Sequence, residues 1–310
     1  MPTCPACDGV RNSSSYLGRG CYKGFDFAYL ACLQCGALFV DPMPSESVLD
    51  QMYGPDYLDA HYATELRGGV ANREIGREMD DAVRLLAEYR PGASVLDVGC
   101  GAGRFLTTAQ AAGLRPEGHE RLAATADAVS QATGIKVHAG ALSDMEGRYY
   151  AVHLGDVLEH SPRPLSLLLA VRRLLRPGGL VIARGPLENQ ANLFQQTVRL
   201  SRLLRASLRE LPPISMPPYH LVLFTYAGWN ALIRRGGLRA VHERVYELHW
   251  PVPERFILRP RSILKELSLV LSGTGLGCRF RMGNRVLSVL TANDFVPAPA
   301  PEVQVSLLPS

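Results

Sequence analysis

The chain has 310 residues, 47% hydrophobic and 20% charged, with a formal net charge of +4. That balance describes a packed protein and excludes an extended disordered chain, while the mild charge neither demands nor rules out a polyanionic partner. There is no apolar run long enough to cross a bilayer, and Met1–Asp8 lacks the basic start and apolar core of a secretory signal, so a cytoplasmic protein with no membrane partner is expected.

Four of the seven cysteines form two C-x-x-C pairs, Cys4/Cys7 and Cys32/Cys35. In a reducing compartment such pairs read as metal ligands rather than disulfides. Two thiolates three positions apart can bind one ion from a tight turn, and Gly36 just after Cys35 suits the turn that aims backbone N–H groups at sulfur. Four thiolates leave no open coordination position, so the ion expected is a structural Zn2+ that holds residues 1–45 together. Phe25–Leu30 and Ala37–Val40 suit strands between and after the pairs, and Cys21, Cys100 and Cys278 stand alone.

Residues 46–295 read as a second unit of α/β type. Ser45 starts a short helix carrying Val48, Leu49 and Met52, and Tyr53–Tyr62 is aromatic and irregular. Arg73–Tyr89 has a helical apolar period that Pro91-Gly92 ends. Val95–Val98 is a short apolar strand, Gly99, Gly101 and Gly103 follow, and Arg104–Ala112 turns helical. Strand, glycine turn, helix opens a nucleotide-binding βαβ unit, in which glycines let the backbone approach a ligand and the helix N-terminus favours a carboxylate. Cys100 lies in that loop, where a small residue is wanted. Pro116–Glu120 is the second strand, and Glu120, 19 residues after Gly101, is placed to accept ribose hydroxyls. Ala124–Thr133 is helical and Ile135–Ala139 is the third strand. Tyr150–Leu154 is the fourth, followed by Gly155-Asp156-Val157-Leu158-Glu159-His160. Leu165–Leu175 is helical, Arg176-Pro177-Gly178-Gly179 stops it, and Leu180–Arg184 is the fifth strand.

Asn192–Glu210 reads as a helix with Arg199, Arg202, Arg205 and Arg209 on one face, a stripe read as a solvated face able to hold an anion. Pro212, Pro213, Pro217 and Pro218 stiffen the following loop. Thr225 caps a helix over Tyr226–Gly236, and Leu238–Leu248 is the sixth strand. Residues 187–225 read as a lid and 250–283 as an insertion with a helix at Ser262–Leu271. Asn284–Ala292 is a reversed seventh strand, and residues 296–310 form a loose Pro- and Ala-rich tail.

Asp97, Gly99, Gly101 and Gly103, with the D-V-L-E-H segment and LLRPGGLVIARGP, resemble the motifs of the class I S-adenosylmethionine-dependent methyltransferases. The resemblance covers roughly residues 75–295 and implies a Rossmann-like seven-stranded sheet behind a small zinc ribbon. It implies cofactor binding by Asp97, Gly99, Cys100, Gly101, Gly103, Glu120 and Asp156, with Gly140, Ala141 and Leu142 along the adenine. The acidic residue common near that adenine loop is missing here. Pro218-Tyr219-His220 with Phe224-Thr225 resembles the lid of methyltransferases acting on sugars and polyketide-like natural products. Some sugar C-methyltransferases carry a four-cysteine zinc module and use this histidine as base, but they have a further C-terminal domain that this chain is too short to hold.

The expected function is therefore methyl transfer to a small acceptor, a sugar, nucleotide-linked sugar or secondary metabolite, by a monomer or homodimer. His220 is the expected general base, His160 the second candidate, and Tyr219 orients substrate or His220. Met216-Pro217-Pro218-Tyr219 resembles the N-P-P-Y motif of adenine methyltransferases, but it follows the fifth strand and has Met for Asn, so base methylation is rejected. Two other readings stay open: an RNA methyltransferase that grips RNA with its zinc ribbon, and a degenerate cofactor-binding scaffold.

Overall fold

In the computed structural model the described residues are 2–54, 70–208, 212–249 and 260–292. The N-terminal strands are β1 (Asn12–Tyr22), β2 (Phe25–Cys32) and β3 (Leu38–Asp41), then α1 (Glu46–Met52) and α2 (Val70–Tyr89). The first half of the larger sheet follows as β4 (Ser94–Val98), α3 (Arg104–Ala111), β5 (Arg115–Glu120), α4 (Ala123–Thr133) and β6 (Val137–Ala139). Next come β7 (Tyr149–Gly155), α5 (Pro164–Arg173), β8 (Leu175–Pro186), α6 (Leu193–Leu208), β9 (Val222–Leu223) and α7 (Tyr226–Arg235). The chain then runs through β10 (Leu238–Tyr246), α8 (Pro260–Gly273), α9 (Gly275–Arg279) and β11 (Arg285–Ala292).

The larger sheet has seven strands in the order β10-β11-β8-β7-β4-β5-β6. Strands β4 to β8 are parallel, and β11 lies antiparallel between β8 and β10. The reversed seventh strand is thus where the sequence places it. The apolar runs of β4 and β7 are buried because helices cover both faces, as parallel sheets require. The four switch-loop ends after β4, β5, β7 and β8 point to one edge, where ligands bind in such sheets.

Two element boundaries and one missed strand stand out against expectation. The fifth strand begins at Leu175, not Leu180, because Arg176-Pro177-Gly178-Gly179 stays inside it as an irregularity in the pairing with β7. Gly178 is left-handed there, and a Cβ on Gly179 would sit 2.9 Å from two backbone oxygens, so only glycine fits. The third strand is shorter, since Ile135 is buried beneath the sheet instead of pairing. β1 escaped the sequence reading because NSSSYLGRGCY is polar and exposed, as an edge strand is, with a register break between Ser14 and Arg19.

The second sheet carries the cysteine region and takes one strand from far along the chain, in the order β1-β2-β3-β9. Leu38 pairs with Leu223 and Phe39 with Val222. Cys4, Phe39, Leu154, Phe224 and Trp229 belong to one continuous buried cluster, so the cysteine region and the larger sheet share a core. Of the sequence-derived segments, Arg209, Pro55–Tyr62, the insertion up to Arg259 and the tail lie outside the described residues.

Thr225 caps α7 as expected. Its Oγ1 accepts from the Gly228 N–H at 3.0 Å and donates to the Cys35 carbonyl at 2.6 Å. Thr225→Ala removes both bonds and is expected to cost about 1–2 kcal/mol, read as a lowered thermal midpoint.

Candidate functional site

The glycine loop leaves β4 with Gly99, Gly101 and Gly103 all left-handed, at φ of 66°, 52° and 76°. Gly103 must be glycine, because a Cβ would meet Thr133 at 2.8 Å and Val129 at 2.9 Å. A Cβ on Gly101 would meet nothing within 4 Å, so the loop borders open space. Glu120, at the end of β5, accepts the Gly101 N–H at 2.7 Å and so ties that strand end to the loop. Burial raises its pKa, and the Gly101 amide partly offsets the effect. Gly140 is left-handed with open space beside it, Ala141 is exposed, and Leu142 is buried in the core. Cys100 is buried against Gly118, and burial pushes its thiol up, so it is held as an inert small residue.

Asp97 is buried and spends its carboxylate inside the protein, accepting from His153 Nδ1 at 2.7 Å. His153 Nε2 in turn accepts from Arg184 Nε at 3.4 Å, and the ring stacks on Phe105 with centroids 4.0 Å apart. The sequence reading missed His153 because it sits mid-strand in an apolar run, where nothing in the spacing marks it.

Asp156 also has a structural partner set. It is left-handed, at φ 56°, and accepts from Arg184 Nη1 at 2.9 Å and from Arg285 Nη1 at 2.5 Å. Glu78 of α2 accepts from Arg285 Nη2 at 2.9 Å and from Arg184 Nη1 at 3.3 Å, and the Tyr246 hydroxyl donates to it. Burial opposes the Asp156 charge, but Arg285 and Arg184 hold its carboxyl well below the usual carboxylate range. Glu78 and Arg285 were marked by no motif, and Arg184, inside LLRPGGLVIARGP, was not singled out, since their three elements are far apart in the chain.

Beside this network lies a second cluster. Glu159 and His160 form a single 3-10 turn after β7, and His220 precedes β9. One donor atom from each of the three lies within 4.8 Å of the others. The His160 and His220 rings meet edge to face at 4.7 Å. His220 Nδ1 is bonded to Glu188 Oε2 at 2.5 Å. Burial works against a charge on His220, but Glu188 overrides it, with Glu159 and Asp156 adding, and the pKa is pushed up to about 9. His160 Nδ1 lies 2.8 Å from the Tyr219 carbonyl and 2.9 Å from the Tyr53 hydroxyl. Tyr219 therefore contributes its backbone to His160. Glu159 is fully buried, and neither carboxyl oxygen has a hydrogen-bond partner among the described residues. Burial and Asp156 push it up to about 8, which keeps it protonated at neutral pH. A Cβ on Gly99 would touch Val157 at 3.1 Å, so the glycine loop and this cluster are neighbours.

The four paired cysteines also come together. Cys4 and Cys35 Sγ are 3.8 Å apart, and Cys7 and Cys32 Sγ 3.5 Å. A zinc ion with Zn–S bonds of about 2.3 Å in a tetrahedron needs sulfurs about 3.8 Å apart, so the four thiols fit it. A Cβ on Gly9 would meet Cys32 Sγ at 2.9 Å and Cys7 Sγ at 3.2 Å, so the backbone closes over the thiols.

A family profile described as "Methyltransferase domain" matches residues 71–243. A ubiquinone biosynthesis O-methyltransferase of Paraburkholderia xenovorans is 34% identical over 99 residues, 29% of this chain and 43% of that protein. That of Methylococcus capsulatus is 35% identical over 99 residues, 29% of this chain and 42% of its own length. The chain thus spans less than half the length of these curated relatives. Among solved structures, the Burkholderia thailandensis 1,6-didemethyltoxoflavin-N1-methyltransferase, with bound 1,6-didemethyltoxoflavin and S-adenosylhomocysteine, matches at TM-score 0.51 and 16% identity, over 84% of this chain and 97% of that one. Magnesium protoporphyrin IX methyltransferase from Synechocystis PCC 6803, with bound SAH, matches at TM-score 0.53 and 13% identity, over 80% of this chain and 100% of that one.

The Arg184/Arg285 network generates a stability prediction. Arg285→Met leaves the buried Glu78 and the half-buried Asp156 around a single guanidinium. Breaking a buried pair from one side costs about 3–5 kcal/mol. Denaturant unfolding should show a loss of that size, and a loss under 1 kcal/mol would mean the network is solvated.

Proposed function

The chain belongs to the methyltransferase-domain family as a class I S-adenosylmethionine-dependent methyltransferase, and we propose that it methylates a small-molecule acceptor held at Glu159, His160 and His220. The observation that carries this reading is the His220–Glu188 pair beside a buried Glu159 that has no hydrogen-bond partner among the described residues, next to the glycine loop. S-adenosylmethionine, when bound, supplies an electrophilic methyl group. The open space at Gly101 and Gly140 fits it, and we assign its binding to Gly99, Gly101, Gly103, Glu120, Ala141 and Leu142. Asp97 and Asp156 serve this site at one remove, by holding His153 and the two arginines.

The protein aligns the acceptor and takes its proton. Glu188 holds His220 Nδ1, which leaves Nε2 to accept that proton. Protonated Glu159 can donate to a hydroxyl or carbonyl of the acceptor, which would satisfy its orphaned oxygens. Such a polar, hydroxyl-rich acceptor is a sugar, a nucleotide-linked sugar or an oxygenated secondary metabolite. The four-cysteine region, residues 1–45, acts as a zinc-held scaffold for the base: the Tyr29 hydroxyl donates to the His220 carbonyl at 3.0 Å, and Asn189 Nδ2 to the Gly36 carbonyl at 2.6 Å. No helix among the described residues is long and apolar enough to cross a membrane.

Four measurements check this reading. Calorimetry should show S-adenosylmethionine binding that Glu120→Ala weakens at least about tenfold, or about 1.4 kcal/mol. Methyl transfer to a panel of sugars and phenols should fall by about two to four orders of magnitude in His220→Ala with cofactor affinity unchanged, and unchanged turnover would remove His220 as base. The base works in its neutral form and Glu159 in its protonated form, so turnover should rise with pH as His220 loses its proton, peak between about 8 and about 9, and fall above that. Glu188→Gln removes the carboxylate that raises the His220 pKa, so the rising limb should move to lower pH. Purified protein should hold about one zinc per chain, lost with a lowered melting temperature in Cys32→Ser.

A further inference from the structure

Helix α8 is built the wrong way round for a helix whose outer face meets water. Its inward face carries Lys265 and Ser268, 1% and 2% exposed, while Ile263, Leu267 and Val270 lie 51%, 48% and 67% exposed. Lys265 is paired with Glu247, and Ser268 Oγ donates to the same carboxylate at 3.3 Å. Lys265 also lies over the Phe194 ring at 5.3 Å, and Asn192 reaches Glu247 at 3.2 Å, so α6 is bound to α8 through this polar seam.

α6 repeats the pattern. Beyond the buried Phe194, its second half exposes Leu200, Leu204 and Leu208 at helical spacing, Leu208 to 84%. In the first turn of α9 Leu276 is 61% exposed, and at its C-cap Phe280 is 62% exposed. Large exposed apolar groups on three adjoining helices form a face, not scattered residues. Basic residues border that face with no acid on α6 or α9: Arg205 precedes Leu208 on α6 and Arg279 lies between Leu276 and Phe280, while Arg199 is turned to the Tyr16 ring at 5.8 Å and Glu266 of α8 is drawn to His249 at 3.4 Å.

We propose that α6, α8 and α9 together dock this protein on an anionic membrane surface. Leucine, isoleucine, valine and phenylalanine would sink to the headgroup boundary while the arginines meet lipid phosphates, which is how amphipathic helices lie in an interface without spanning it. A second copy of the chain is the poorer occupant, because a symmetric pair would set Arg205 and Arg279 of the two copies against each other. The absence of a spanning helix is consistent with surface contact, and the face is separate from the residues assigned to methyl transfer. α6 begins five residues after Glu188, so docking would bring the acceptor site close to the lipid surface.

The test is flotation of the full-length protein with vesicles of phosphatidylcholine alone and with vesicles containing a third phosphatidylglycerol, with light scattering on the free protein. Binding to the anionic vesicles, weakened by salt, is expected. Leu204→Ser with Leu208→Ser should abolish it, and Arg205→Gln with Arg279→Gln should lower the partition coefficient about thirtyfold. Cofactor binding and melting temperature should be unchanged in both variants, which separates a docking defect from misfolding. Equal binding to both vesicle types, no binding to either, or a dimer that the leucine variant splits would each overturn the proposal.

Discussion

The segment Tyr219–Phe224 is clamped from both sides, and the proposed chemistry depends on that clamp. On one side Val40 N–H donates to the Leu221 carbonyl at 3.0 Å, and β3 pairs with β9. On the other, Leu221 N–H donates to the Glu159 carbonyl at 2.8 Å. His220 lies inside this two-sided ladder, and its own carbonyl is taken by Tyr29. Backbone bonds of this kind are individually worth only about 1 kcal/mol, but together they fix a loop that Pro212, Pro213, Pro217 and Pro218 have already stiffened. The cysteine region is therefore more than an appendage. Its thiols hold β2 and β3, and β2 and β3 hold the histidine.

The second organising constraint is charge in a place where charge is expensive. Two guanidiniums and two carboxylates share the space at the ends of β7, β8 and β11. They neutralise one another, and their geometry keeps Asp156 in a left-handed conformation that aspartate tolerates better than most residues. Asp156 in turn sends a negative field toward Glu159 and His220, raising both pKa values. Arg184 reaches a third way, to His153 and through it to Asp97 under the glycine loop. A single set of contacts thus runs from the cofactor loop to the proposed acceptor site.

The outer helices follow different physics. Elsewhere apolar side chains are inside and polar ones outside, as in the core beneath β4 and β7. In α8 the order is reversed around the Lys265–Glu247 pair, whose burial is tolerable only because Ser268 and Asn192 complete its hydrogen bonds. The exposed leucines are a cost in water that a lipid surface would remove.

The order of strands, the glycine turn, the reversed last strand and the four-thiol cluster were legible in the sequence, because each depends on local periodicity, backbone freedom or fixed spacing. Thr225 as a helix cap, and the helices α2 and α7, were legible for the same reason. What the tertiary structure alone decided is which charges meet. Glu78, Asp156, Arg184 and Arg285 lie far apart in the chain, as do Glu188, Glu159 and His220, and no spacing rule brings them together. Glu159 stood in plain view within D-V-L-E-H, yet its proposed role comes from complete burial without a hydrogen-bond partner among the described residues, which is a property of packing. The strand β9 is two residues long, too short for any periodicity, and it exists only because β3 offers an open edge to pair with. Local patterns set the elements; long-range pairing of edges and charges set what those elements can do.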